Sequence, residues 1–283
     1  MLAVAWVIRR SLAPVQRMRR QVASRAADDL SPLETQGLPD EVRPLVQELN
    51  LLFDRVQQAF EAQKSFVADA AHELRSPLTA LKLQAHALGR AGDEAARDAA
   101  VQRLNQGIDR AIALVEQMLV LARQEAQAGQ GQAARPVDLQ ALVRDGITAV
   151  LPQAQARGID LGVLEGDPVV VPGHPDSLAV LLRNLLDNAI KYSPAQGQVD
   201  VGLRQQGGTA SLVVEDSGPG IPEAERARVL DRFYRVPDAP ARGSGLGLAI
   251  VKTIADQHGA TLLLGVSERL GGLRVEVRFP AMA

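Results

Sequence analysis

The chain has 283 residues, of which 46% are hydrophobic and only 3% are aromatic, and its formal net charge at pH 7 is −2. This length suits about two domains, and the near-neutral charge argues against a general nucleic-acid-binding protein. Because the sequence contains no cysteine, disulfides, thiolate nucleophiles and cysteine-ligated metal sites are excluded, so chemistry must come from histidine, carboxylates, amides or a bound nucleotide.

The chain begins with an apolar stretch, MLAVAWVI at residues 1–8, which is too short to cross a bilayer that needs about 20 residues. Residues 9–25 contain no acidic residue and carry six arginines, namely Arg9, Arg10, Arg17, Arg19, Arg20 and Arg25. An apolar end followed by arginines is typical of the cytoplasmic flank of a membrane span. On that interpretation residues 1–8 end a truncated span and the chain is a fragment; the alternative is a frayed hydrophobic terminus.

Two long helices are predicted next, because apolar residues recur at alternating steps of four and three. The first run is interrupted once by Gln63 and comprises Leu45, Leu49, Leu52, Val56, Ala59, Phe66 and Ala70. The second run comprises Val101, Leu104, Ile108, Ala111, Val115, Met118 and Ala122. The sequence GRAGDEAARD between them predicts a turn, hence an antiparallel hairpin. Its apolar stripe is expected to pair with a second copy in a four-helix bundle; packing on its own C-terminal domain is the alternative.

Residues 126–135, AQAGQGQAAR, are small, polar and glycine-containing, and this composition predicts a linker. The sequence pattern differs on its two sides. Short β-like runs then alternate with helical patterns near residues 139–156, 175–191 and 246–257. This alternation predicts an α/β layer in which helices cover one sheet.

The sequence LLRNLLDNAIKYSP places Asn184, Asn188 and Lys191 on one helix face, with Tyr192 beside them. Two amides and an ammonium suit phosphate oxygens and a hard cation such as magnesium, which prefers oxygen ligands. By itself, this stretch is better explained as a solvated helix face.

The sequence VVEDSGPGIP leads from an apolar strand into Asp216, Gly218 and Gly220. Glycines permit a tight turn and close approach of the backbone to a ligand. A carboxylate at such a strand end can accept a hydrogen bond from an exocyclic amine such as that of adenine. An ordinary Asp-Gly turn is the alternative.

The sequence RGSGLGLAIVK opens a helix with Gly243, Gly245 and Gly247. Backbone N–H groups at a helix N-terminus can hold phosphates. A dinucleotide-binding fold does not fit, because the preceding residues RFYRVPDAPA form a loop rather than a strand.

In this order, these stretches resemble the sequence boxes of the histidine kinases of two-component systems. FVADAAHELRSPLTAL is similar to the phosphoacceptor box, NLLDNAIKYS to the asparagine box, DSGPGIP and GSGLGLAI to the two glycine boxes, and RFYR to the phenylalanine box. The resemblance implies a dimeric four-helix-bundle hairpin followed by an α/β-sandwich ATP-binding domain of the histidine kinase, gyrase and Hsp90 type. The implied modules are a HAMP-like linker at 9–60, the dimerisation and phosphotransfer hairpin at 61–127, a linker at 128–135 and the ATP-binding domain at 136–283.

The resemblance implies that His72 receives the γ-phosphoryl group of ATP and passes it to an aspartate of a response-regulator receiver domain. A neutral imidazole is a good nucleophile near neutral pH, and Glu73 can act as a base or orient the ring. Pro77 lacks a backbone donor and is expected to bend the helix just after the site. Ser76 stands where the family often has Thr or Asn, so phosphatase activity is implied less directly than kinase activity.

The resemblance also assigns the nucleotide contacts, with Asn188 on Mg²⁺ and Asp216 on the adenine amine. Asn184, Lys191 and Tyr192 are implied to lie near the nucleotide and its phosphates. The other implied contacts are Gly218, Gly220, Ile221, Phe233, Arg235, Arg242, Gly243, Gly245, Leu246 and Gly247. Among these residues, the resemblance places Phe233, Arg235 and Arg242 in a lid over the nucleotide, where an arginine can neutralise γ-phosphate charge during transfer.

Two alternative functions stay open. A clamp ATPase of the same fold needs a catalytic carboxylate on the asparagine-box helix, where Asp187 is the only acidic residue between Leu178 and Tyr192. A non-catalytic dimeric scaffold is the other alternative, although the intact motifs argue against it.

The resemblance further implies a homodimer that is anchored in the inner membrane with this portion facing the cytoplasm, and a response regulator as its partner. The remaining histidines, His86, His174 and His258, lack the setting of a phosphoacceptor and are predicted to be structural.

Overall fold

The structure is a computed structural model that describes residues 29–36, 38–40, 42–90, 92–127, 133–164, 166, 168–237 and 243–280. The N-terminal apolar and arginine-rich stretch and the predicted site residue Arg242 lie outside these ranges. The chain divides into two compact units, Met1–Glu73 and Leu74–Ala283. None of the helices in the described ranges combines the length and the hydropathy that a membrane crossing requires.

Two long helices form the first half of the described chain: α1 spans Arg43–Gly89 and α2 spans Glu94–Gln127. Both helices are predicted by the apolar residues that recur at alternating steps of four and three. Asp93 precedes α2, and its carboxylate accepts the N–H of Ala96 at 2.7 Å, which caps the start of the helix. Pro77 lies inside α1, which continues beyond it to Gly89.

Both helices expose large apolar side chains, which is unusual for a face that remains in water. The exposed set is Leu45, Leu51, Leu52, Phe60, Val67, Leu78, Leu83, Val101, Ile108, Ile112, Val115 and Leu119. An amphipathic helix that leaves its apolar residues exposed needs a partner surface.

A small core forms where the segment before α1 folds back on that helix. Leu33 and Leu38 are buried against Val46, with partly buried neighbours Val42, Leu49 and Phe53. The Asn50 side chain accepts the N–H of Leu33 at 2.7 Å and donates to the Leu33 carbonyl at 3.0 Å. One amide thus satisfies both backbone groups of Leu33 and holds the segment against α1.

The described residues of the second half form a five-stranded sheet, a two-stranded sheet and three α-helices. Its elements are β1 Arg135–Asp138, α3 Leu139–Ala156, β2 Asp160–Val163, β3 Val170–Gly173, α4 Pro175–Tyr192, β4 Gln198–Gln206, β5 Thr209–Asp216, α5 Gly247–Gln257, β6 Thr261–Val266 and β7 Leu273–Phe279. The five-stranded sheet has the order β2-β4-β5-β7-β6. β2 and β4 are parallel and the other neighbours are antiparallel.

The strand β1 was not predicted, and its first residue, Arg135, falls in the expected linker. Arg135–Asp138 pairs with β3 in an antiparallel two-stranded sheet, and Asp138 then caps α3 by accepting the N–H groups of Gln140 and Ala141. Residue 135 therefore belongs to a strand rather than to the linker.

The core of this half lies between the sheet and its helices. The buried face of α4 consists of Leu178, Leu181, Leu182, Leu185, Leu186, Ala189 and Ile190, and the helix contacts β4 and β5. Alternate strand residues such as Val201, Leu212 and Val277 are fully or almost fully buried. The intervening positions carry acidic residues such as Asp200 and Glu215, which pair with Arg269 and Arg274.

Two histidines connect the beginning of α4 to the end of α5. The backbone N–H of His174 donates to Nε2 of His258 at 3.0 Å, and Nδ1 of His258 lies 2.7 Å from the carbonyl oxygen of Ile254. Because Nε2 accepts here, Nδ1 must carry the proton and donate to Ile254. Burial, together with the nearby His174 ring, lowers the pKa of His258 below its ordinary value of 6.5.

This arrangement predicts that acidification destabilises the fold through His258. The folded state holds the neutral ring, so its contribution is complete above pH 6.5 and is lost as the pH falls from there through the lower folded pKa. Urea unfolding at a series of pH values should give a smaller pH dependence between about pH 7 and 5 for His258→Gln than for the parent chain. The exposed His86 provides the control, since His86→Gln should keep the parent's dependence. Equal slopes for the parent and His258→Gln would contradict this account.

Candidate functional site

A cavity of about 290 Å³ lies between α4, the end of β5 and the N-terminus of α5. Among the residues implied by the sequence boxes, those that line it are Asn188, Lys191, Tyr192, Asp216, Gly220, Ile221, Arg235, Gly245 and Gly247. The other lining residues are Gln117, Pro219, Pro222, Val229, Tyr234, Val236, Pro237, Ser244, Leu248 and Leu273. The cavity thus combines apolar walls with a few polar groups, as small-molecule sites commonly do.

One end of the cavity is built around Asp216, which is only 5% exposed. Its Oδ1 accepts the backbone N–H groups of Gly218 at 2.8 Å and Leu273 at 3.1 Å. Burial raises the pKa of Asp216, and these two N–H donors act in the opposite direction. Within the described ranges Oδ2 makes no hydrogen bond, so it can accept one from a ligand amine between apolar walls such as Ile221 and Leu273.

Glycines are required around this end because the backbone approaches the carboxylate closely. Gly220 adopts φ of 70°, a conformation that L side chains rarely take. A side chain on Gly272 would overlap the carbonyl oxygen and Oδ1 of Asp216. The loops that follow β5 and precede β7 therefore depend on glycine to position Asp216.

The other end of the cavity brings α4 against the glycine-rich start of α5. A Cβ atom on Gly247 would lie 2.8 Å from Nδ2 of Asn188, and Gly243 is packed against Nζ of Lys191. Ser244 accepts the N–H of Leu246 through Oγ at 3.1 Å. The first N–H groups of α5, an amide and an ammonium therefore converge, which is a setting suited to phosphate oxygens.

Lys191 is held in an environment that disfavours its charge. Burial lowers its pKa and the positive charge of Arg235 lowers it further, whereas Asp187 acts in the opposite direction. An anion placed beside Lys191 and Arg235 would relieve this repulsion. The electrostatics of this end thus favour an anionic ligand.

Several residues implied by the resemblance do not line the cavity. Asn184 donates from Nδ2 to the carbonyl of Val180 at 2.8 Å, one turn earlier in its own helix. Phe233 adopts φ of 62° and donates its N–H to Gly245 at 3.1 Å. Gly218, Gly243 and Leu246 do not line the cavity, but each contacts a residue that does: Gly218 contacts Asp216, Gly243 contacts Lys191 and Leu246 contacts Ser244.

Asp187, the acid that a clamp ATPase would need, does not line the cavity either. Its Oδ2 lies 3.7 Å from Nε of Arg183 in an ion pair on the α4 surface. Burial raises the pKa of Asp187, and Arg183 and Lys191 oppose that effect. The described residues therefore place no carboxylate of α4 in the cavity, which disfavours the clamp ATPase.

The implied phosphoacceptor lies on α1, as the hairpin pattern requires. His72 and Ser76 are exposed and Glu73 is half-buried. An exposed imidazole is accessible to a phosphate donor, so the position suits the predicted role.

The lining residues that the sequence did not reveal come from loops and from distant elements. Tyr234 donates its O–H to Glu225, and the Arg228 guanidinium lies 4.1 Å from the centroid of its ring. The RFYR stretch signals this aromatic residue only through its position between Phe233 and Arg235. Gln117 belongs to α2, and no motif points to it.

Comparison with known families assigns most of the chain. Residues 173–283 match the family described as histidine kinase-, DNA gyrase B-, and HSP90-like ATPase. Residues 62–127 match the His Kinase A (phospho-acceptor) domain, and residues 12–58 match the HAMP domain of PhoQ-like sensor proteins. The predicted fold class, a helical hairpin followed by an α/β ATP-binding domain, is confirmed.

Individual relatives support the same assignment. Sensor protein QseC of Salmonella typhi is 39% identical over 281 residues, which is 99% of this chain and 61% of that protein. Sensor protein kinase PmrB of Pseudomonas aeruginosa is 36% identical over 274 residues, which is 96% of this chain and 57% of that protein. The chain thus spans about three-fifths of the length of these curated relatives.

Among solved structures, full-length ShkA in complex with AMPPNP is similar, with a TM-score of 0.55 and 26% identity, covering 78% of this chain and 46% of that one. The phosphoacceptor and ATPase matches, the sensor-protein relatives and the cavity described above agree. The chain therefore combines the HAMP, phosphoacceptor and ATPase domains and is similar along nearly its whole length to sensor histidine kinases of two-component systems.

Proposed function

We propose that this chain transfers the γ-phosphoryl group of ATP to His72 and then to an aspartate of a response-regulator receiver domain. The observation that carries the proposal is the cavity with a buried carboxylate at one end and an amide, cations and helix N–H groups at the other. The same chain carries an exposed histidine on a helical hairpin. Phosphoryl transfer from ATP to a histidine requires both the nucleotide site and the acceptor side chain.

The two ends of the cavity fit the two ends of ATP. Oδ2 of Asp216 would accept a hydrogen bond from the adenine N6 amine, and the start of α5 with Lys191 would hold the phosphates. Asn188 would supply an amide oxygen to Mg²⁺, whose remaining ligands would be phosphate oxygens and water. Bound there, the ion would neutralise phosphate charge during transfer.

In the proposed transfer, an unprotonated ring nitrogen of His72 attacks the γ-phosphorus. An N–P bond forms as the bond from the γ-phosphorus to the β,γ-bridging oxygen breaks, and ADP leaves. The half-buried Glu73 orients the ring or accepts the proton that the ring loses. The receiver's aspartate carboxylate then attacks the same phosphorus, which restores the imidazole.

The assembly follows from the exposed apolar stripe of α1 and α2, which would be buried between two copies of the hairpin. We propose that the protein is anchored in the inner membrane with the phosphoacceptor and ATPase domains in the cytoplasm, since residues 12–58 match a HAMP domain. Ser76 can hold a water molecule, so dephosphorylation of the regulator is a further proposed activity.

Incubation of the chain with Mg²⁺ and γ-labelled ATP tests the proposal. We expect protein-bound label that is lost in acid and survives alkali, because a phosphoramidate N–P bond has that stability, and rapid transfer to one member of a panel of receiver domains. Label released only as inorganic phosphate would favour a clamp ATPase. Nucleotide binding with neither labelling nor hydrolysis would favour a scaffold.

A further inference from the structure

One of the residues that line the nucleotide cavity comes from outside the ATP-binding domain. The lining residues lie between Asn188 and Leu273, with the exception of Gln117, which belongs to the hairpin helix α2. No sequence box includes this residue. The hairpin therefore contributes a polar side chain directly to the cavity.

Gln117 is joined to the glycine-rich loop by a hydrogen bond. Ser244 already accepts the N–H of Leu246 through Oγ, and its hydroxyl donates to Oε1 of Gln117. In this network Oε1 of Gln117 accepts from the serine hydroxyl, so Nε2 is the hydrogen-bonding group of the amide that remains. Within the described ranges Nε2 has no acceptor, and it is left to donate to a ligand.

Ser244 places Gln117 at the phosphate end of the cavity. Its neighbour Gly243 packs against Nζ of Lys191, and Gly247 packs against the side chain of Asn188. A donor beside these groups faces the part of the ligand that carries negative charge. Asp216, at the adenine end, contacts a different set of loops.

The position of Gln117 depends on the packing of α2 against the ATP-binding domain. Gln117, Met118, Leu121, Gln124 and Glu125 lie on one face of α2, and Leu121 is fully buried. Gln257 of α5 donates to the carbonyl of Gln124, and Arg232 pairs with Glu125. We call this set the α2 docking face.

The α2 docking face combines buried apolar side chains with polar links that carry energetic penalties. Oε1 of Gln124 is buried without a hydrogen-bond partner in the described part of the chain, which costs free energy. Burial also raises the pKa of Glu125, against the effect of Arg232. Because these penalties weaken the contact, a ligand that adds one favourable interaction can shift the equilibrium between docked and undocked α2.

We propose that Gln117 is a nucleotide-positioning residue that the hairpin supplies, and that its amide donates to the terminal phosphate of ATP. This inference rests on the proposed use of the cavity as an ATP site. The hydrogen bond from Gln117 would stabilise the docked arrangement of α2 when ATP is bound. ADP would stabilise it less, because ADP lacks the phosphate that accepts this bond. By linkage, the docked arrangement binds ATP more tightly.

Calorimetric titration of the complete chain with AMPPNP and with ADP, both with Mg²⁺, tests the inference. Gln117→Leu should weaken AMPPNP binding about tenfold and change ADP binding less than about twofold, since only the terminal phosphate loses a donor. Gln117→Glu should weaken AMPPNP further through charge repulsion. The control is Gln106→Leu, an exposed glutamine of the same helix, which should leave both affinities unchanged.

A charge reversal tests the dependence on docking. Glu125→Arg replaces the ion pair with Arg232 by a repulsion, so it should weaken AMPPNP binding more than ADP binding. The double variant Glu125→Arg with Gln117→Leu should bind AMPPNP only slightly more weakly than Glu125→Arg alone. If Gln117 had only a structural role, Gln117→Leu would weaken the binding of AMPPNP and ADP equally. That result, or an unchanged AMPPNP affinity, would overturn the inference about Gln117 and leave the proposed function standing. A parent chain that binds neither nucleotide would overturn the proposed function and the inference together.

Discussion

Replacement of His72 by glutamine is expected to reduce label incorporation from γ-labelled ATP to background. Glutamine keeps polarity and approximate size, but its amide nitrogen is not a nucleophile, so no N–P bond can form. Because His72 is exposed on α1, its replacement should leave helix content and the unfolding midpoint nearly unchanged. The AMPPNP affinity should stay within about twofold of the parent's, since the cavity is lined by other residues.

The matched control is His86→Gln, because His86 is another exposed histidine of the same helix. It should incorporate label at the parent's rate. Label retained in His72→Gln, with tryptic peptides locating it at His86 or elsewhere, would show that the phosphoacceptor was wrongly assigned.

The helices and strands of the second half could largely be predicted, because local patterns determine them. The helical pattern near residues 175–191 corresponds to α4, Pro175–Tyr192, since its leucines recur at helical spacing and Pro175 opens it without losing a needed donor. Strand β5, Thr209–Asp216, follows from a run of β-branched and aliphatic residues that ends at a glycine-rich turn.

Features that depend on long-range packing could not be predicted. β1 has only four residues and is a strand because Arg135 to Asp138 pair with β3, a partner more than thirty residues away. Asn184 shares a helix face with Asn188, yet it lies one turn further from the glycine-rich loop and bonds to Val180 instead. Helical spacing identifies a face but not how far along the helix a cavity extends.

Gln117 illustrates the same limit for the site. Its helix was correctly predicted from the apolar stepping, which concerns the seam between helices. Its contact with Ser244 arises from the packing of α2 on α5, between residues 127 positions apart. A motif is a local pattern, and therefore it does not report a side chain contributed by another domain.

Asp216→Asn should weaken ATP binding by roughly 10- to 100-fold, the effect of losing a hydrogen bond to a charged acceptor. The asparagine can keep Oδ1 in place to accept from Gly218 and Leu273, which turns its NH₂ group towards the ligand. That group would face the adenine amine, and two donors repel. Autophosphorylation at sub-saturating ATP should fall by a similar factor.

The base specificity should change together with the affinity, and this separates a direct contact from damage to the fold. Inosine triphosphate carries an oxygen where ATP carries the N6 amine, so the parent should disfavour it and Asp216→Asn should bind it better than the parent does. Asp200→Asn is the matched control, because Asp200 is equally buried on the adjacent strand β4 but does not line the cavity. It should retain the preference for ATP even if its unfolding midpoint falls. Titration of both triphosphates against the three chains checks this, and an unchanged base preference in Asp216→Asn would show that another group reads the adenine.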